Sequence, residues 1–263
     1  MNRSQTAIYT SKIIKAGALL ADTKTFFMHW NGSHSVAENL ERFRRDNLFG
    51  KTSRSRVEDI LAIFRQRYLA DAQLTRALTA LVKGHLPAKS LDSVLYFHAA
   101  QSDWLLHDFV TEFLATRHQQ GRNDLDIEDV QAVLAQWVRE GKTTGQWSEG
   151  TIIRVAQGLL STLRDFGLLQ GAVKKHLTSP YVPVESFAWV AFYLQKRQPS
   201  GERLLHDPEW RLFFLAPQTV ERLFLEAHQH RLLEYHAAGP VIRISFPAES
   251  PEEYARVIAQ RPY

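Results

Sequence analysis

The sequence contains no cysteine, which excludes disulfide bonds, thiol catalysis, iron–sulfur clusters and cysteine zinc sites. It also lacks a long uncharged apolar run. The longest, from Phe187 to Leu194, is far shorter than the roughly 20 residues that a membrane-spanning helix needs. Near the N-terminus Lys12 and Lys15 divide the apolar stretch, so no signal-peptide core follows. We therefore expect a soluble, cytoplasmic protein without membrane contact.

Common catalytic motifs are missing as well. Two Gly-Lys-Thr triplets, beginning at Gly50 and Gly141, look like the end of a phosphate-binding P-loop. That motif needs a glycine five residues earlier, where this sequence has Arg45 and Gln136. The H-E-x-x-H pattern of metalloproteases and the G-x-S-x-G pattern of serine hydrolases are also absent. The sequence predicts no ATP hydrolysis, no catalytic residues, no metal site and no cofactor.

The chain as a whole has only a small net charge. Lys and Arg total 32 against 28 Asp and Glu, a formal net charge of +4, so any strong field must come from local clusters. Hydrophobic residues make up 44% and aromatic residues 11%, enough to fill a substantial core. The apolar spacing predicts a mainly α fold, with a helical N-terminal domain over residues 1–120 and an α-rich C-terminal domain over 121–263. The polar stretch from Gln119 to Asp124 marks the boundary.

Residues 35–69 predict a helix-turn-helix-like unit within the N-terminal helical bundle. The first helical pattern places Val36, Leu40 and Phe43 on one face. The second pattern repeats apolar residues at spacings of three and four, at Val57, Ile60, Leu61, Phe64 and Tyr68. The two patterns therefore predict a pair of amphipathic helices joined by a short break.

The break between these helices is where we expect DNA contact. Gly50 can adopt a positive φ there, and Thr52 or Ser53 can cap the second helix. In a helix-turn-helix the N-terminal end of the second helix enters the major groove. The candidate DNA-binding residues of this unit are Arg42, Arg44, Arg45, Lys51, Ser53, Arg54 and Arg56. Glu58 and Asp59 follow the basic cluster in the sequence. The alternative is a helical hairpin whose basic residues are only solvated.

Short segments in the first 70 residues, together with one near the C-terminus, carry a family resemblance. They are Tyr9-Thr10-Ser11, Ala16 to Leu20, Asp46 to Lys51, Ser53, Arg56-Val57, Arg67 to Leu69 and Gly239 to Arg243. They resemble the BrxA family of BREX phage-defence systems, most clearly over residues 5–115. The resemblance implies a small, mainly helical, non-enzymatic protein that binds double-stranded DNA. It also implies that the protein serves alongside a methyltransferase, an ATPase and other BREX components.

Residues 126–184 predict a second candidate DNA-binding unit. Two helices, Asp126 to Glu140 and Ser148 to Phe166, precede predicted hairpin strands at Leu168 to Ala172 and Tyr181 to Val184. Helix, turn, helix and basic hairpin is the order of a winged helix. The candidate contacts are Lys142, Trp147, Arg154, Lys174 and Lys175. The alternative is a plain helical hairpin followed by a surface loop.

Periodicity and capping residues predict the remaining elements. We expect one helix from Ser11 to Trp30 and another over Ser102 to His118 that begins at Ser102 as cap. Helix is also predicted over Ser186 to Lys196 and Glu209 to Ala238, interrupted at Pro217. Val241 to Phe246 alternates as a short strand does, and Pro251 to Gln260 predicts a closing helix.

Other side-chain clusters suggest further chemistry but have simpler explanations. Asp103, Asp108 and Glu112 are the carboxylates that a metal-dependent nuclease would use, although a solvated helix face explains them equally. Glu226, His228, His230 and His236 have metal-ligating side chains, but surface or core histidines are more common. The aromatic residues Phe187, Trp189, Phe192, Tyr193, Trp210, Phe213 and Phe214 suggest mostly core packing, with a partner-protein surface as the functional option.

The sequence thus predicts a non-catalytic protein that binds double-stranded DNA mainly through electrostatic contacts. The alternative is an adaptor whose aromatic C-terminal surface binds another subunit of the defence complex. A basic helical surface does not by itself distinguish DNA from RNA.

Overall fold

A computed structural model describes residues 8–171, 174–197, 199–239 and 241–260 of the 263-residue chain. Ala172 of the predicted hairpin and Pro240 of the family's closing segment lie outside the described residues. The α-helices, in chain order, are α1 (Ile13–Ala16), α2 (Leu20–His29), α3 (Val36–Arg45), α4 (Arg54–Tyr68), α5 (Ala72–Lys83), α6 (Ala88–Ser102), α7 (Trp104–Asp108), α8 (Ala115–Gln119), α9 (Ile127–Arg139), α10 (Glu149–Asp165), α11 (Val184–Gln195), α12 (Gly201–Leu205), α13 (Pro217–Gln229) and α14 (Pro251–Ala259). A π-helical segment covers Phe109–Leu114, and a 3-10 helix covers Pro208–Phe213.

Within the described residues, helices dominate and five short strands form two antiparallel sheets, so the mainly α fold class predicted from the sequence is confirmed. The strands are β1 (Asp124–Leu125), β2 (Leu169–Gln170), β3 (Lys175–Leu177), β4 (Glu234–Ala238) and β5 (Val241–Ser245). The first sheet has the order β1-β3-β2, with β3 in the centre, and the second is the β4-β5 hairpin. Leu169 pairs with Leu177, and both side chains are buried.

The chain divides into two compact units, each assembled from separated segments. Unit 1 contains the described part of Met1–Leu19, together with Ala99–Pro180 and Arg211–Phe214. Unit 2 contains Leu20–His98, Tyr181–Trp210 and the described part of Leu215–Tyr263. The division into domains at residue 120 stays a prediction.

The single helix predicted over Ser11 to Trp30 is wrong, because the chain breaks between α1 and α2. Gly17 and Leu19 have φ values of 51° and 50°, which lie outside the right-handed helical region. The apolar spacing continues across the break, so periodicity alone does not reveal it. The break separates α1, in unit 1, from α2, in unit 2.

The structure also differs from the single helix predicted over Ser102 to His118. Asp103, rather than Ser102, caps it, since the Asp103 carboxylate accepts from the N–H groups of Leu105 and Leu106. The chain then passes through the π-helical segment before α8. Arg211, from a distant part of the chain, donates to the Thr111 carbonyl at 2.7 Å.

Two predictions near the strands need correction. The second strand of the basic hairpin is β3, not Tyr181 to Val184, because Leu177 is the residue that pairs with β2 and Val184 begins α11. The helix predicted through Ala238 ends at Gln229, and β4 follows it because its residues pair with β5. The strand predicted from Val241 is confirmed within one residue.

Aromatic side chains fill the core of unit 2. Phe187, Trp189, Phe192 and Trp210 are each at most 4% exposed, which confirms that the C-terminal aromatic residues mostly form packing contacts. The partner-binding surface that the adaptor hypothesis placed on these residues is therefore largely buried.

Candidate nucleic-acid interface

Local sequence signals set the geometry of α3 and α4 in unit 2. Ser35 and Glu38 form a capping box at the start of α3, in which the Ser35 N–H donates to the Glu38 carboxylate at 2.7 Å. Gly50 has a φ of 62°, and Ser53 accepts from the Arg56 N–H at the start of α4, as predicted. The face predicted for α3 is only partly right, because Val36 is 46% exposed.

The side chain of Asn47 stabilises the turn through hydrogen bonds that the sequence pattern does not predict. Asn47 has a φ of 44°. Its side-chain amide donates to the Lys51 carbonyl at 2.9 Å, and its side-chain oxygen accepts from the Lys51 N–H at 3.0 Å. The turn is thus held by a reciprocal pair of hydrogen bonds shortly before Ser53 caps α4.

Three of the predicted cations around this turn, Arg44, Arg45 and Lys51, are paired with carboxylates. The Arg44 guanidinium binds both Glu58 oxygens, at 2.6 and 3.1 Å, and this pairing lowers the pKa of Glu58. Lys51 lies 2.7 Å from Asp22. Although Glu58 follows the basic cluster in the sequence, its side chain reaches back into it.

The other cations of this group differ in their partners. Arg45 binds the carboxylate of Asp46, which it holds at a lowered pKa, and Arg42 donates to the His29 carbonyl. Arg56 is half-buried in the first turn of α4. Arg54 is exposed, and its guanidinium forms no ion pair with the residues that the structure describes. Charge pairing therefore leaves Arg54 as the most available cation of this group.

These side chains surround an open cavity of about 550 Å³ at the α3–α4 turn. Its lining residues are Glu41, Arg44, Arg45, Asn47, Lys51, Thr52, Ser53, Arg54, Val57 and Glu58. The cavity thus brings together five of the predicted residues of this unit, but with two carboxylates among them.

The second predicted group lies in unit 1, on α9, α10 and the first sheet. Ser148 caps α10 by accepting from the Thr151 N–H at 3.3 Å. Arg154 is exposed on the second turn of α10, and its Nε–H donates to the Gly150 carbonyl at 3.1 Å. Trp147 is half-exposed immediately before the helix. This end of α10 is therefore accessible and carries one cation.

Two lysines stand at the β2–β3 hairpin. Lys174 is exposed at the turn, and Lys175 is the first residue of β3. Gly171 has a φ of 96°, and a Cβ atom at this position would collide with the Lys174 carbonyl oxygen. Only glycine therefore fits this turn, which holds the backbone beside Lys174.

Lys142, at the turn after α9, has a close acidic partner. Its ammonium group lies 2.9 Å from Glu140, and this contact raises the pKa of Lys142. The same ammonium lies 6.0 Å from the centre of the Trp137 ring. Lys142 is thus partly committed to contacts within the turn between α9 and α10.

Tyr9 ties that turn to the rest of unit 1. The Tyr9 N–H donates to the Lys142 carbonyl at 2.7 Å, and the Thr144 N–H donates to the Tyr9 carbonyl at 2.9 Å. The phenol donates to Asp108 at 2.8 Å. Burial, followed by the nearby Asp108 carboxylate, raises the pKa of Tyr9 well above its ordinary value, so the phenol stays neutral and acts as a donor.

Substituting Tyr9 with phenylalanine should reduce the free energy of unfolding by about 1–3 kcal/mol, because the half-buried Asp108 carboxylate loses the hydrogen bond from the phenol. Tyr9→Ala should cost more, since it also removes the ring that packs 4.7 Å from Trp137. Urea titration followed by tryptophan fluorescence measures both. Equal stability of wild type and Tyr9→Phe would show that the hydrogen bond contributes nothing.

Several of the carboxylates and histidines considered as metal ligands have other partners. Asp103 caps α7, and Asp108 accepts from Tyr9 and contacts His107. His228 accepts from the Tyr235 N–H at 3.3 Å. Within the described ranges, no group of three or more histidine or acidic side chains is placed to hold a metal ion.

The exposed face of α10 carries a polar stripe, of which the sequence analysis named only Arg154. Gly150, Arg154, Gln157, Ser161 and Arg164 follow one another at spacings of four and three, and all are exposed or half-exposed. The signal was present, because this stripe lies opposite the buried residues Val155, Leu159 and Leu163.

The described residues form a mainly helical protein with two small antiparallel sheets. Its candidate interface is basic and polar. Residues 7–193 match the BrxA family, and the chain belongs to it. Membership in this family implies that the protein takes part in BREX phage defence, in which other BREX proteins also act.

One solved structure supports the fold alone. The crystal structure of an uncharacterized protein from Magnetospirillum magneticum has a TM-score of 0.61 and 15% sequence identity to this chain. The match covers 79% of this chain and 99% of that protein. No curated protein matches this chain. None of the helices in the described ranges has the length and apolar character needed to cross a membrane.

Proposed function

We propose that this protein is a cytoplasmic, non-catalytic component of a BREX system and that it binds double-stranded DNA. The observation that carries the proposal is the arrangement of unit 1. There α8, β1, α9, α10, β2 and β3 follow one another, and the strands form a sheet in the order β1-β3-β2. This order of helices and strands is that of a winged helix.

The arrangement suits duplex DNA because each part has a distinct contact to make. The second helix of a helix-turn-helix enters the major groove, and flanking cations bind the phosphates. Here α10 is the second helix, with Arg154 exposed on it. Lys174 and Lys175 stand on the hairpin that serves as the wing. These three residues are the principal contacts that we propose.

The α3–α4 turn supplies a second proposed contact through Arg54 and Arg56. It ranks below the α10 surface because three of its cations, including Arg44 and Lys51, are paired with carboxylates. Phosphates must displace those carboxylates before the cations become available, and this displacement offsets part of the Coulomb attraction.

The test is a fluorescence-anisotropy titration of a labelled duplex at several salt concentrations. If about five phosphates are neutralised, log K should fall against log salt with a slope near −4 to −5. The Lys174→Ala, Lys175→Ala double variant should bind more weakly, with a slope smaller in magnitude by about 2. The Arg54→Ala, Arg56→Ala variant should show a smaller loss.

A matched control removes two positive charges elsewhere. Lys89 and Arg222 are exposed on α6 and α13 and belong to neither proposed surface. The Lys89→Ala, Arg222→Ala variant should bind like wild type. Salt-independent binding would overturn the electrostatic mechanism. A larger loss for the Arg54 and Arg56 variant would place the principal contact at the α3–α4 turn instead.

A further inference from the structure

The exposed face of α10 differs from a surface that only attracts phosphate. Its polar residues Arg154, Gln157, Ser161 and Arg164 form a continuous stripe. Gln157 is exposed, and its amide makes no hydrogen bond with any residue that the structure describes. The amide therefore offers both a donor and an acceptor to a ligand.

A cleft of about 400 Å³ runs beside this stripe. Gln157, Ser161 and Arg164 line it from α10, and Lys175 lines it from β3. The remaining lining residues are Asp126, Ile127, Glu128 and Leu160. The cleft thus places cations, neutral polar groups and carboxylates along the same length of helix and continues the proposed wing surface.

This mixture of groups indicates which part of DNA it suits. Phosphate oxygens only accept hydrogen bonds, so carboxylates beside them are repulsive. Base edges in the major groove carry both donors and acceptors in a pattern that differs for each base pair. A stripe containing an amide, a hydroxyl, a guanidinium and nearby carboxylates matches base edges better than it matches phosphate.

We propose that α10 reads base edges in the major groove and that Gln157 is a specificity-determining residue that recognises adenine. The glutamine amide can pair with the N6 amino group and N7 of adenine, and Arg154, one turn earlier, is placed for guanine. The proposal rests on the proposed DNA-binding function and makes that binding sequence-selective. Asp126 and Glu128 disfavour phosphate beside Gln157, which directs the backbone towards Lys174 and Lys175.

The test is selection of binding sites by the full chain from duplexes with a randomised central segment. Wild type should enrich a motif that contains an adenine whose replacement weakens binding about 5- to 150-fold. Gln157→Ala should lose the preference at that one position and keep the preferences at the others. Because Gln157 is exposed, the variant should have the circular dichroism spectrum of wild type.

The matched control is Gln136→Ala on α9, where an exposed glutamine bonds to Glu140 within its own helix. This variant should enrich the wild-type motif. Salt-dependent binding without an enriched motif would overturn base reading and leave the proposed function standing. An unchanged motif in Gln157→Ala would overturn the assignment of that residue. Absence of wild-type binding at low salt would overturn the proposed function itself, and base reading with it.

Discussion

Replacing Phe26 with alanine should lower the free energy of unfolding by about 3–5 kcal/mol, among the largest effects of a single substitution in this chain. Phe26 is fully buried on α2. Its ring centre lies 5.0 Å from both Phe43 of α3 and Phe64 of α4, and 5.1 Å from Trp30. The substitution therefore leaves a cavity where three helices meet, and rigid neighbouring rings close it poorly.

Denaturant unfolding measures this loss, and Phe246→Ala is its control. Phe246 is only half-buried, with its ring 5.3 Å from those of Phe192 and Tyr254. Its removal should cost less than half as much, because water already reaches part of the site. A loss below about 1 kcal/mol for Phe26→Ala would contradict the packing described for α2, α3 and α4.

Acidification should destabilise the protein through His98, by about 1.4 kcal/mol for each pH unit below roughly 6.5. His98 is 2% exposed, and it accepts a hydrogen bond at 2.9 Å from the indole N–H of Trp189. Burial, with a smaller contribution from Arg197, lowers the pKa of His98 from 6.5 to about 3. The folded state thus requires the neutral imidazole.

The direction of this effect follows from the two pKa values. Above pH 6.5 the imidazole is neutral in both states, and the full stability is present. Between pH 6.5 and about 3 the unfolded chain binds a proton that the folded chain does not, so stability falls as pH falls.

Urea unfolding at pH 7.0, 6.0 and 5.0 measures the slope. His98→Gln keeps an acceptor for Trp189 but does not titrate, so the difference between wild type and this variant should shrink with acid. His85→Gln, at an exposed position, should keep the wild-type slope. Parallel pH profiles for wild type and His98→Gln would show that His98 is not the responsible group.

The two candidate interfaces were unequally predictable. The sequence indicated both helix pairs, the turn at Gly50 and the cap at Ser53, because each signal lies within a few residues of the structure that it determines. It also indicated the basic hairpin. It misplaced the second strand, and β1 was not predicted, because strand pairing depends on partners as distant as Asp124 and His176.

Charge pairing at the candidate site was the least predictable feature. Arg44 and Glu58 are 14 residues apart, and Lys51 and Asp22 are 29 residues apart (51 − 22). No periodicity signals that such side chains will meet. Their pairing changes the ranking of the two surfaces, since it removes much of the net charge that made residues 35–69 the stronger prediction.

By itself the sequence determined the mainly helical class, most helix ends and the likeness to the BrxA family, since caps, turns and apolar spacing act over one or two helical turns. Tertiary structure alone decided that the helix predicted from Ser11 breaks before Leu20 and that Arg211 reaches the π-helical segment. It also decided that Arg44, Arg45 and Lys51 pair with carboxylates. These outcomes depend on contacts between residues far apart in the chain, and only the folded chain brings those residues together.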